Sequence, residues 1–349
     1  MSFRNYLKTA GMALGVLLFM TGGLGSAWAQ TDAGIADKLS EAIRNYSELD
    51  FDKGLDVAQS LLGREDLSSR DSIGIYSVMS MLTYGKGTKF IDKSFGFLKQ
   101  IAGIGPCEVH LPYGFWPQQL RDQWYRVVND QGALVCPNGK DTKVKTIAIM
   151  EFDNFSVGEY QEELGFITKG LADFFEADFA KVSDLKVVER DKIEFILKEL
   201  ELSASGAVET STAVKIGKML GAQVMVFGSI TQLSSKEAKM LVKAVKVETS
   251  EIITSVERTG KPKYFKMQKE LVAELVEKLD VTLNEETRNL LEQSGSESED
   301  AAGMYSQGLY YMDKYDYKKA YEYFKKAYDK DPGFAEAKRK MEIYRPLAT

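Results

Sequence analysis

The chain predicts an α/β (α+β) protein: a small mixed β-sheet covered by helices, with helical segments on either side. Three observations lead there. TIAIMEF (146–152) is a near-continuous apolar run, as in a strand covered on both faces. Downstream of it, apolar stripes at helical spacing alternate with short β-branched runs. Before residue 104 and after residue 300 the apolar period is helical.

The first residues are read as a leader rather than as fold. MSFRNYLK carries Arg4 and Lys8 with no acid, AGMALGVLLFMTGG is apolar, and GSAWAQ sets Ala27 and Ala29 at small-residue cleavage positions. That is the layout of a secretory signal peptide over 1–29, with no cysteine near the cut to take a lipid. Beyond Ala29 no stretch approaches the ~20 apolar residues of a spanning helix. The expected location is therefore the periplasm, bounded by an outer membrane.

Residues 30–140 predict a helical domain. Ile35, Leu39, Ile43 and Tyr46 recur at helical spacing, and Phe51, Leu55, Ala58 and Leu61 resume the pattern after a turn. A second pair is expected over 72–84 and 90–103. Segment 104–140 holds Pro106, Pro112, Pro117 and Pro137, with a short helix over 118–128. Cys107 and Cys136 are the two cysteines of the chain. In an oxidising compartment a disulfide between them is the first reading, closing a loop of about 30 residues. Two free thiols or a metal site are the alternatives, although cysteines so far apart lack metal-ligand spacing and the chain has one histidine, His110.

CPNGKDTK (136–143) marks a boundary. The domain expected over 144–282 begins with the 146–152 strand. A helix follows over 159–181, with Leu164, Ile167, Leu171, Phe174, Phe175 and Phe179 inward. LKVVE (185–189) is a strand. Asp191 and Glu194 form a capping-box pattern opening a helix to Leu200. Glu189 and Arg190 read as a surface pair. KIGKMLGAQVMVFGSIT (215–231) is the chain's glycine-rich stretch. Its glycines precede a strand, whereas a phosphate loop lies between strand and helix, and neither G-x-G-x-x-G nor G-x-x-x-x-G-K-[ST] can be read. Gly217 is assigned to a tight helix–sheet contact, Gly221 to a left-handed helix end, and Gly228 to a bulge or close backbone approach. A hairpin (239–248 and 251–259) and a closing helix (Phe265, Leu271, Val272, Leu275, Val276, Leu279) complete the unit.

SGSESED lies in a polar linker assigned to 283–300. From Ala301, the residues Gly308, Tyr311, Ala320, Phe324, Ala327 and Pro332 fall at the spacing of the 34-residue tetratricopeptide repeat, placed over 301–349. Eight tyrosines lie between Tyr305 and Tyr328. Among them Tyr310, Tyr315 and Tyr317 are candidate partner contacts.

The 145–282 segment resembles the CsgG family, the curli production assembly/transport component. TIAIMEFDNFS, GLADFFEADFAKVSDLKVVERDKIEFILKELELSASG, AVKIGKMLGAQVMVFGSIT and VKVETSEIITSVERTG carry the likeness in order and spacing. A fainter resemblance reaches the TolB amino-terminal domain and related periplasmic adaptors. The resemblance implies a non-catalytic envelope component of assembly or secretion, with partners among envelope proteins and a tendency to oligomerise. A lipid-anchored pore of that family would need a cysteine after the leader and long membrane hairpins. This chain offers SSKEA and ETSE instead, so an adaptor touching the outer membrane peripherally is expected. The alternative is a repeat scaffold serving another envelope system.

An enzyme is the contrasting reading. Glu151 and Asp153, at the end of the first strand, could supply acid–base chemistry. No nucleophile triad, cofactor motif or metal spacing accompanies them, so no catalytic residue, metal or cofactor is assigned. With net charge −6, falling further once the leader is removed, the chain is a poor match for nucleic acid.

Overall fold

In the computed structural model, residues 33–109, 116–134, 136, 145–199, 210–279, 281, 285–292, 295–296 and 298–348 are described. The leader expected over 1–29 and His110 lie outside them. The chain divides into two units, 1–128 and 129–349.

The first unit is built from helices α1 (Ala33–Ser47), α2 (Phe51–Leu61), α3 (Ser69–Gly85) and α4 (Ile91–Ile104); α5 (Gln118–Asp130) runs across the division. Asp50 accepts a hydrogen bond from the Lys53 amide at the start of α2. Ser68 and Asp71 form a reciprocal capping box on α3. Buried Ser80 and Ser94 bond to each other's carbonyls, which satisfies two hydroxyls between α3 and α4. Trp116 donates to the Ser77 carbonyl at 3.1 Å. Cys107 and Cys136 are both disulfide-bonded.

In the second unit six strands form one mixed sheet: β1 (Lys145–Ile149), β2 (Asp153–Asn154), β3 (Leu185–Val188), β4 (Val224–Ser234), β5 (Glu237–Lys246) and β6 (Ile252–Gly260). The order is β3-β1-β4-β5-β6, with β2 beside β4. β1 is parallel to β3 and β4, while β4, β5 and β6 run antiparallel. Central β1 is buried from Thr146 to Ile149, edge strand β3 exposes Lys186, and β5 alternates buried Ala238, Met240, Val242 and Ala244 with exposed or half-exposed Lys239, Leu241 and Lys243.

Helices fill both faces. The expected 159–181 helix is two, α6 (Glu159–Glu163) and α7 (Ile167–Phe179), because Gly165 lies where the first turn ends. α8 (Arg190–Glu199) starts two residues earlier than a cap at Asp191 requires. The Glu189 carbonyl receives the first helical amides, and Asp191 is buried inside the first turn. α9 (Thr210–Leu220) ends at Gly221, whose φ of +65° is the left-handed closure glycine adopts without strain. A Cβ on Gly217 would lie 2.7 Å from Val247 and 2.8 Å from Met225, so α9 presses on the sheet there. Gly228 is a close approach rather than a bulge: its register with Val242 is regular, and a Cβ would overlap the Leu241 carbonyl and lie 2.6 Å from Phe152. α10 (Tyr264–Lys278) covers the opposite face together with α7.

Part of the expected linker is a helix, α11 (Glu285–Glu292). Then come α12 (Glu299–Asp313), α13 (Tyr317–Lys330) and α14 (Ala335–Tyr344). Gly308 lets α12 and α13 meet: a Cβ there would sit 2.5 Å from the Phe324 ring. Ala320, Phe324 and Ala327 are fully buried on the same seam.

Candidate functional site

The side chains that converge most densely lie where α12 seats on α7, α8 and α10. Helix α12 is held along its whole length. At its start, the Glu299 carboxylate accepts from the Phe265 and Lys266 amides at 3.4 and 3.2 Å, occupying the positive amino-terminal end of α10. In the middle, Gly170 of α7 makes room for Ser306: a Cβ on Gly170 would overlap the Ser306 hydroxyl and lie 2.8 Å from its Cβ. Around this contact Phe174 packs on Phe265, Tyr305 and Phe334 with ring centroids 4.8, 5.7 and 5.6 Å away. Tyr305 also meets Phe324 and Phe334 at 5.3 and 4.9 Å. Each of these rings is worth a few kcal/mol of apolar burial, and the edge-on contacts add up to about 1.5 kcal/mol apiece.

Beyond the aromatic patch lies a buried ionic cluster. Lys169 of α7 reaches Asp313 at 2.7 Å, and Glu151 and Glu194 at 3.3 Å each. Arg190 of α8 grips both oxygens of Asp313 at 3.1 and 3.3 Å, pairs with Glu194, and lies 3.4 Å from Asp191. Its backbone amide donates to Glu176 at 2.9 Å. Tyr305 donates to Asp173 at 2.8 Å, which links the aromatic and ionic parts.

The electrostatics follow from burial and crowding. Burial works against the Lys169 ammonium, but Asp313, Glu194 and Glu151 outweigh it and keep Lys169 protonated. Asp313 would be raised by burial alone; Arg190 and then Lys169 drive it well below the carboxylate range. Glu194 goes the other way. Burial, opposed by Arg190 but reinforced by Asp313, lifts it to about 7. Glu176 is pushed well up by burial, then by Asp173 and Asp191. Chemically, the cluster is a latch in which two cations and several carboxylates compensate one another.

Glu151, one of the two acid–base candidates, is drawn into this latch. Asp153 sits on β2, opposite Ser229, and is raised by burial and then by Glu151. Arg190 is 4% exposed, so the surface pairing read for it is corrected: desolvation is tolerated because four carboxylates surround it. Tyr317 is 9% exposed and packs on Tyr344 at 5.2 Å, so it belongs to the core and is not a partner contact. Tyr315 is 44% exposed, and Tyr310 is half-buried against Phe166. Sequence reasoning missed Lys169, Asp173, Arg190 and Asp313 as a set. The available signal was Asp173 and Glu176 within the apolar stripe of α7, where unpaired acids are costly.

Among the described residues no group of His, Cys, Asp and Glu has the makings of a metal site, and no helix is long and apolar enough to cross a membrane.

The family model for the curli production assembly/transport component CsgG matches residues 137–241, about three tenths of the chain. No curated protein matches the chain. Among solved structures, the LpoB carboxy-terminal domain from Salmonella enterica is 19% identical, covering 35% of this chain and 86% of that one, TM-score 0.26. Lipoprotein GNA1162 from Neisseria meningitidis is 14% identical over 40% and 99% of the two chains, TM-score 0.28. A PelC dodecamer from Paraburkholderia phytofirmans is 9% identical over 42% and 95%, TM-score 0.26.

Proposed function

We propose that the chain is a non-catalytic, exported component of the cell envelope, a CsgG-like adaptor for assembly or secretion that offers partners its carboxy-terminal tetratricopeptide-type helices. The match to the CsgG family model over 137–241 carries this reading. The leader pattern agrees with export.

Two features favour an adaptor over a pore. The β4–β5 connection is the two residues Ser235 and Lys236, and β5 to β6 spans 247–251, leaving no insertion that could supply ~10-residue membrane strands. Strands β4 to β6 are paired with each other along most of their lengths, with register shifts at Gln232/Ser234 and at Ala244/Val245. A non-catalytic role is supported by the latch, whose cations and carboxylates are spent on one another. An independent repeat scaffold is less favoured, because α12 is built into the sheet domain. That seating also answers the need of a single repeat to cover its apolar face without a second copy.

The test is cell fractionation with amino-terminal sequencing, joined to photo-crosslinking from position 315. The expected result is a soluble periplasmic protein beginning at Gln30 and crosslinked to envelope proteins. A protein that stays in the cytoplasm with its leader intact would refute the proposal.

A further inference from the structure

The outer surface of α12 and α13 carries a continuous row of tyrosines and lysines that the latch does not use. Phe166 meets Tyr310 edge-on at 4.9 Å; Tyr310 meets Tyr311 at 5.3 Å; Tyr311 stacks on Tyr323 at 5.4 Å with rings 11° from parallel. Three lysines lie over the rings: Lys314 on Tyr310 at 4.0 Å, Lys319 on Tyr311 at 4.9 Å, and Lys326 on Tyr323 at 4.5 Å. Lys314 also bonds to the Tyr310 hydroxyl.

This arrangement selects its ligand chemistry. Tyr311 and Tyr323 cover one face of each other, and Lys319 and Lys326 lie over their rings. The rings are therefore poor platforms for a stacking ligand such as a sugar. What remains at the surface is a set of polar groups, the ammoniums of exposed Lys314, Lys319 and Lys326 and the hydroxyls of half-buried Tyr310, Tyr311 and Tyr323, on stems held by cation–π contact. The charge agrees. Residues 314–330 contain six lysines against Asp316, Glu322 and Asp329, in a chain of net charge −6. Asp316 is taken by Lys319 and Asp329 by Lys325, whereas Lys314 and Lys326 have no carboxylate partner among the described residues.

We propose that this lysine–tyrosine ladder is a docking surface for an acidic, extended peptide segment of a partner protein. Its side-chain carboxylates pair with Lys314 and Lys326, and its backbone carbonyls accept from the phenol hydroxyls. The proposal deepens the adaptor reading and rests on it.

The experiment uses the full-length mature protein and a fluorescein-labelled peptide of alternating Asp and Glu, read by fluorescence anisotropy. Saturable binding is expected, weakening steeply as salt rises past about 0.1 M, where the Debye length falls below ~10 Å. Lys314→Glu with Lys326→Glu should weaken it at least tenfold, and Lys314→Gln with Lys326→Gln by less. All four substitutions are at exposed positions, so unchanged melting serves as the folding control. Lys215→Glu with Lys218→Glu on α9 changes net charge equally and should leave binding intact. Equal loss in that control pair, or no loss in the ladder variant, would overturn the proposal. So would tighter binding of a uronic-acid oligomer or an anionic lipid vesicle at the same surface. An exported protein that crosslinks elsewhere but ignores the peptide would overturn this inference and leave the adaptor reading standing.

Discussion

Replacing Gly170 by alanine tests the seat of α12 directly. The new methyl group would overlap the Ser306 hydroxyl and come within 2.8 Å of its Cβ, closer than real Cβ contacts allow. Overpacking of this kind costs about 1–3 kcal/mol. Alanine also gains roughly 1 kcal/mol over glycine within a helix, so the single variant should lose about 0–2 kcal/mol net. Ser306→Gly removes both clashing atoms, leaving the Phe265 ring at an ordinary 3.5 Å. In that background Gly170→Ala should instead stabilise, by up to about 1 kcal/mol. The double-mutant cycle should therefore show a favourable coupling of about 1–3 kcal/mol, measured by urea unfolding with an unchanged m-value. Additivity within about 0.5 kcal/mol would mean that α12 does not rest on α7 in solution, and the latch would fall with it.

Three further outcomes are expected. Asp313→Asn leaves Lys169 and Arg190 buried without their shared carboxylate and should cost about 3–5 kcal/mol in chemical unfolding; a loss under 1 kcal/mol would contradict the latch. Glu194 is raised to about 7 from 4.5. Between those values the folded state holds a proton that the unfolded state has released, so its contribution to stability falls as pH rises. Glu194→Gln should accordingly gain on the wild type between pH 5 and pH 8, by at most about 3 kcal/mol in paired urea titrations; parallel pH profiles would refute this. Cys107→Ser with Cys136→Ser should lower the stability of the intact chain by about 3–4 kcal/mol, the cost of opening a loop of about 30 residues, read against reducing agent added to the wild type.

The main sheet and most helices were legible because each repeats one signal over many residues. β1 is short but opens the apolar run 147–150, and the stripe of α10 runs over four turns. β2 has two residues, too few for any period, and is defined by its partner β4. α11 escaped notice because its polar composition resembles that of a linker. The latch was illegible for another reason. Arg190 and Asp313 are 123 residues apart, and nothing local in either segment indicates the other. Tyr317, by contrast, could have been placed. It leads Ala320, Phe324 and Ala327 at spacings of three, four and three, which is the buried seam of its own helix.

The position of Phe174 and Phe265 has a consequence for synthesis. The rings that cover Phe174, those of Tyr305 and Phe334, follow every strand of the sheet in the chain and so leave the ribosome after it. A nascent chain can form the hairpin of β4 and β5, yet it keeps an open aromatic floor until α12 to α14 emerge. Premature stop codons after the sheet should therefore yield sticky, protease-sensitive fragments rather than a smaller working domain.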